Sequence, residues 1–216
     1  MNDLVTEERE VGPFTEIAIG GVGRLTVALG DAEALTVEAR SEILPHIITQ
    51  VEGNRLVIRL QERGFGSLLG DVGQIHYRVT ARALDAIAVS GAATVTAAEL
   101  AAERFNLRIS GAAKTELNLT ADRLETQISG AGRVTLRGKT DTQRVTVSGA
   151  ATYRADELAS RECRVVISGA GTARVNVEGN LTVRLSGAGR VFYTGNPTID
   201  KHVSGVGKMT PIAANR

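Results

Sequence analysis

From residue 86 onward, apolar and polar residues alternate in short runs, and each run stops at a tetrapeptide of small residues. Ile87 and Val89, Leu107 and Ile109, Val145 and Val147, Val165 and Ile167, and Val183 and Leu185 mark the apolar column. A Ser-Gly-Ala-Ala or Ser-Gly-Ala-Gly motif follows, beginning at Ser90, Ser110, Ser129, Ser148, Ser168 and Ser186, with Ser-Gly-Val-Gly at Ser204. The spacings are 20, 19, 19, 20, 18 and 18 residues. Alternation of period two predicts a strand with one buried face. Thr126 and Lys201 interrupt the column before the motif. Five residues after each serine it resumes at Val95, Val134, Tyr153, Ala173, Val191 and Met209, with Thr115 as the exception. Each period therefore reads strand, glycine corner, strand, polar return. A period held this tightly is one unit stacked on itself.

No period has room for a helix beyond single turns at 98–102 and 156–160. Short parallel strands without helical crossovers describe an all-β parallel β-helix of about seven to eight coils of 18–20 residues. The coils lie about 4.8 Å apart. The motif glycines fit a corner where positive φ or close backbone approach excludes a Cβ. The serines stack in a ladder, with hydroxyls able to bond along the column or to the turn backbone. Gly20-Gly-Val-Gly23 looks like a diverged copy with glycine in the serine place. The period then breaks, and residues 40–84 read as antiparallel strands that continue or cap the first coil. Gly53-Asn54 marks a hairpin there, and 61–74 is a glycine-rich loop. This divides the chain into an N-terminal β segment, 1–85, and the repeats, 86–216. At the other end the only visible protection for the last strand edge is Pro211, which withholds an N–H.

The recurring V-S-G-A-G/A motif resembles the bacterial auto-transporter adhesin family, also called the head GIN domain. Phe14-Thr-Glu-Ile-Ala-Ile-Gly-Gly-Val-Gly, Leu35-Thr-Val-Glu-Ala and Tyr77-Arg-Val-Thr resemble it too. The likeness spans roughly residues 11 to 210. It implies a right-handed parallel β-helix with an N-terminal β portion and an adhesin-like role, with no catalytic residues to carry over.

Composition narrows the picture. With no Trp, 3 Tyr and 4 Phe in 216 residues, the core must be thin aliphatic layers. A net charge of +1 gives no global pull toward nucleic acid or an anionic membrane. It hides a division, −5 over residues 1–85 and +6 over 86–216, which could favour head-to-tail contact. The single cysteine, Cys163, forms no internal disulfide and reads as a buried thiol. No apolar run reaches membrane-spanning length. No export signal is visible at Met1; the resemblance points to the envelope or exterior after signal removal, and a native start at Met1 to the cytoplasm.

Chemistry is sparse. Seven equivalent serines at a structural corner are not one activated nucleophile with a base in reach. Gly132 to Gly138-Lys139-Thr140 has five residues between its glycines, where a phosphate loop needs four, and no helix follows. His46, His76 and His202 lack metal-ligand spacing. No catalytic, metal or cofactor site is expected. One surface column stands out, four residues after each motif start: Thr94, Lys114, Arg133, Thr152, Thr172, Arg190 and Lys208, with Arg24 in the equivalent N-terminal place. It is either a shallow site for an anionic polymer or a set of solvated β-positions covering apolar layers. Phe65, Leu68 and Leu69 in the 61–74 loop form a second candidate contact. The functional readings are an envelope or extracellular module contacting a cell-surface glycan or protein, a self-associating scaffold, and, last, an enzyme acting on polysaccharide.

Overall fold

The computed structural model describes residues 4–61 and 75–213. Apart from one 3-10 turn at Leu44–His46, its regular structure is a single 16-stranded sheet coiled into a β-solenoid of about seven turns. The shaft consists of β8 (Ala86–Gly91), β9 (Thr94–Gly111), β10 (Lys114–Ile128), β11 (Arg133–Val147), β12 (Thr152–Ile167) and β13 (Thr172–Gly187). It ends in β14 (Arg190–Thr194), β15 (Thr198–Gly205) and β16 (Lys208–Pro211). All of these pair in parallel with the coil before and, except for β15 and β16, with the coil after.

The two 20-residue periods explain themselves in the register. Leu117 pairs with Ala97 while Leu119 pairs with Leu100, so β9 carries one extra residue. Thr135 pairs with Arg154 while Arg137 pairs with Glu157, so β12 does too. Residues 98–102 and 156–160 are thus strand containing β-bulges, not the single helical turns their composition suggests. Continuous ladders on both sides hold the backbone extended, and one surplus residue is absorbed as a bulge.

At the N-terminal end the order in sequence departs from the order in space. β2 (Glu16–Gly21) and β3 (Arg24–Leu29) lie beside β8 and β9, with Gly20 opposite Ser90 and Gly21 opposite Gly91. On the far side of the same coil lie β6 (Arg55–Leu60) and β7 (His76–Ala81), also parallel. β6 and β7 therefore belong to a further coil beneath 16–29. The expectation of antiparallel strands throughout 40–84 is corrected on this point. Leu56, Ile58, Tyr77 and Val79 point into the solenoid as in any other coil, all at most 2% exposed. Antiparallel pairing is confined to β4 (Ala34–Arg40) on β7, β1 (Leu4–Arg9) on β4, and β5 (Ile47–Glu52) on β6. The β5–β6 turn is the expected hairpin, with Gly53 at φ +65°.

The corner works by contact between coils. The N–H of the third motif residue donates to the glycine carbonyl of the coil before, as from Ala112 to Gly91 (2.9 Å) and from Ala150 to Gly130 (3.0 Å). That third residue is exposed in every copy, whereas the fourth faces inward; Ala93, Ala113 and Ala151 are at most 1% exposed. Ser90 and Ser204 donate their hydroxyls to the carbonyls of Ile19 (3.5 Å) and Leu185 (3.3 Å) on the neighbouring coil. All seven motif serines are exposed.

The two residues that interrupt the apolar column mean different things. Thr126 is fully buried, whereas Lys201, beside buried Val183, lies on the last coil with nothing stacked over it among the described residues. Thr126 belongs to a mid-shaft set of inward polar groups with Thr115, Gln143, Tyr153 and Cys163. The Cys163 thiol donates to Gln143 Oε1 at 3.5 Å, and burial pushes its pKa up. Burial does the same to the Tyr153 hydroxyl. Thr126 comes close to that hydroxyl, yet neither oxygen has a partner in hydrogen-bonding geometry. Removing an unpartnered buried polar atom should not destabilise. Tyr153→Phe is expected to leave the chemical-denaturation midpoint unchanged or to raise stability by up to about 1 kcal/mol.

Candidate functional site

One outer face of the shaft is built from the strand that follows each corner. Its register places the column read from the sequence in a single line. Arg24 pairs with Thr94, and Lys114, Arg133, Thr152, Thr172, Arg190 and Lys208 follow in order. Among these, Arg24, Lys114, Arg133, Arg190 and Lys208 are exposed and the threonines half-buried. His76 extends the line beyond Arg24.

A second column runs beside it, six residues after each motif start. It reads Thr26, Thr96, Glu116, Thr135, Arg154, Arg174, Phe192 and Thr210. The motif spacing marks this column in the sequence as well, where the more uniformly basic line beside it overshadows it. Arg154 and Arg174 are direct neighbours across β12 and β13. The Arg174 guanidinium lies over the Phe192 ring, 5.3 Å from its centroid. This flattens one arginine against the face while leaving its charge outward.

Ion pairing divides the cations into two groups. Lys114 is held by Glu116 at 2.7 Å and Arg137 by Glu157 at 2.9 Å. The Lys114 hydrogen bond, aided by the charges of Lys114 and Arg137, keeps the Glu116 carboxyl below its ordinary range despite some desolvation. Arg133, Arg154, Arg174, Arg190 and Lys208 have no ion pair among the described residues. They sit on five successive coils, β11 to β14 and β16. Four steps of about 4.8 Å make this an uncompensated cationic track roughly 19 Å long. Thr135, Thr152 and Thr172 add hydroxyls along it. Arg24 is remote from this track, three coils below Arg133 on the ladder through Thr94 and Lys114. Phe65, Leu68 and Leu69 lie outside the described residues.

Elsewhere, a shallow groove of about 540 Å³ follows part of the serine column on another side, lined by Ala18, Val57, Arg108 and Gln127 and by the serines from Ser90 to Ser148. Among the described residues no group of three His, Cys, Asp or Glu side chains is placed to hold a metal ion. No helix among the described residues is long and apolar enough to cross a membrane.

A β-solenoid with a charged, shallow and elongated face defines a class of scaffold that presents a surface. The chain belongs to the family described as "Putative auto-transporter adhesin, head GIN domain", whose model matches residues 13–197. Among solved structures it is similar to a putative adhesin from Bacteroides fragilis, at 22% identity over 98% of both chains and a TM-score of 0.89. A putative adhesin from Parabacteroides distasonis matches at 20% identity over 98% of both chains, with a TM-score of 0.76. A protein from the same species described as a putative lipid binding protein matches at 17% identity over 97% of both chains, with a TM-score of 0.70. At these identities the likeness is one of fold. No curated protein matches the chain.

Proposed function

We propose that this protein is a non-enzymatic surface-interaction module of the cell envelope or exterior, which holds an anionic polymer such as an acidic glycan along its cationic track. The observation that carries this reading is the run of five cations without carboxylate partners on successive coils. Some cations elsewhere are paired off, Arg161 with Asp141 at 2.7 Å, Arg184 with Asp200 at 2.8 Å and Arg55 with Glu16 at 2.6 Å. Arg104, Arg108, Arg123, Arg144 and Arg164 are unpaired too among the described residues, but do not lie on this track. A repeating polyanion offers charges along a line, and a ladder of parallel strands offers countercharges along a line. Phe192 supplies an apolar surface under the track, with Arg174 spread across it. The family's adhesin description agrees with such a role. The seven exposed serines are equivalent corner positions, which supports binding rather than chemistry.

The test is titration of polygalacturonate and of neutral dextran against the protein and its Arg133→Ala/Arg154→Ala/Arg190→Ala variant. Binding to the polyanion alone is expected, weakening as salt rises, with affinity at least tenfold lower in the variant. Equal binding by both proteins would retire the track as the site. Release of reducing ends from the polymer would overturn the non-enzymatic part.

A further inference from the structure

We propose that the two ends of the solenoid bind each other, so that copies of this chain stack head to tail, the last coil of one against the N-terminal cap of the next. Three independent observations meet here.

The first is the open edges. At one end the described sheet stops at β1 and β5, which pair only with β4 and β6; at the other it stops at β15 and β16, which pair only with β13 and β14. Each terminal strand presents a row of unpaired N–H and C=O groups. The second is apolar exposure. Among the described residues, the exposed large hydrophobic ones are Leu4 and Val5 in β1, Ile199 and Val203 in β15, and Val206 in the last corner. All five lie at the ends and none along the shaft. Ile199 and Val203 face Leu181 and Leu185 of the coil before, so they are core positions with no coil over them among the described residues.

The third is charge, and it selects the occupant. The last coil carries Lys201, His202 and Lys208, while its Asp200 is already held by Arg184. On or beside its outermost strands the cap carries Glu8, Glu10 and Glu52 without an ion pair among the described residues, while Glu7 and Glu42 are held by Arg9 and Arg40. Two last coils meeting about a twofold axis would bring like charges together. The last coil meeting a cap brings opposite ones. Strand sense agrees: β4 is antiparallel to β7 and β1 antiparallel to β4, so β1 runs in the same direction as β16. Translation along the axis sets β16 beside β1 in the parallel mode of the shaft, and brings β15 over β5, which ends one strand short of β1. Lys201, an inward charge on an edge coil, guards against indiscriminate pairing and accepts only a partner that supplies a carboxylate. A head-to-tail contact does not close on itself, so the product is a chain of rods.

Sedimentation velocity over a concentration series is the test, with circular dichroism confirming that each variant is folded. The average mass of the wild-type protein is expected to rise without a plateau and to fall in high salt. Lys201→Glu/Lys208→Glu and, separately, Glu8→Lys/Glu52→Lys are each expected to remain monomeric, and mixing the two to restore association between them. A plateau at dimer mass would overturn the head-to-tail geometry. A wild-type protein that stays monomeric at millimolar concentration, or charge variants that associate as it does, would overturn the contact itself.

Discussion

Gly149→Ala is expected to cost more than roughly 4 kcal/mol, or to prevent folding outright, although it adds a single methyl group. A Cβ at this position would overlap the carbonyl oxygen of Gly130 on the adjoining coil and crowd its backbone nitrogen. The neighbour cannot move away. The same carbonyl accepts from Ala150 at 3.0 Å, and the flanking bonds from Ser148 to Ile128 (2.9 Å) and from Thr152 to Gly132 (3.0 Å) fix the spacing of the two coils. Relief means parting a ladder in the middle of the shaft. Gly53→Ala is the control, because Gly53 sits at φ +65° with open space around it. Only left-handed backbone strain is added there, about 1–2 kcal/mol. Denaturant unfolding of the two variants separates close approach from conformational strain. A Gly149→Ala protein as stable as Gly53→Ala would mean that the corners do not touch.

The second large effect depends on position along the rod. Leu181 and Ile199 are partners in the same inward column, one coil apart. Leu181 is fully buried, and Ile199 is 39% exposed. Leu181→Ala leaves a cavity enclosed on all sides and is expected to lose about 2–5 kcal/mol. Ile199→Ala trims a side chain with solvent on one side and is expected to lose less than about 1 kcal/mol at low protein concentration. Head-to-tail stacking covers that side chain, so the Ile199→Ala penalty should then grow with protein concentration while the Leu181→Ala penalty stays level. Equal penalties in dilute solution would place a cover over the last coil.

Much of this architecture was legible in the residues because a repeat reports the same constraint seven times. The glycine corner and the column from Arg24 to Lys208 follow from counting, since parallel stacking turns sequence period into spatial register. The close contact behind the corner divides in two on inspection. Gly91, Gly187 and Gly205 sit at positive φ, whereas Gly130, Gly149 and Gly169 are required by the neighbouring backbone alone. Periodicity was silent where the chain doubles back. Nothing local in Arg55–Leu60 says that it will run parallel to Glu16–Gly21, because a strand carries no label for its neighbour's direction. The short helical turns at 98–102 and 156–160 were misread for a related reason: Ala and Leu favour helix only until ladders on both sides demand extension. Arg154, Arg174 and Phe192 were within reach of the same arithmetic, but their column opens with threonines and a glutamate, which masks its basic half.

The doubled-back segment also bears on how the protein is made. The coil at 16–29 is flanked by β6 and β7 on one side and by 86–97 on the other. When it leaves the ribosome neither flank exists, and both must be synthesised before its ladders can close. Thereafter each new stretch of about twenty residues finds its template already in place. Biogenesis thus has one slow, obligatory beginning, set by long-range closure, followed by growth in single increments toward the C-terminus.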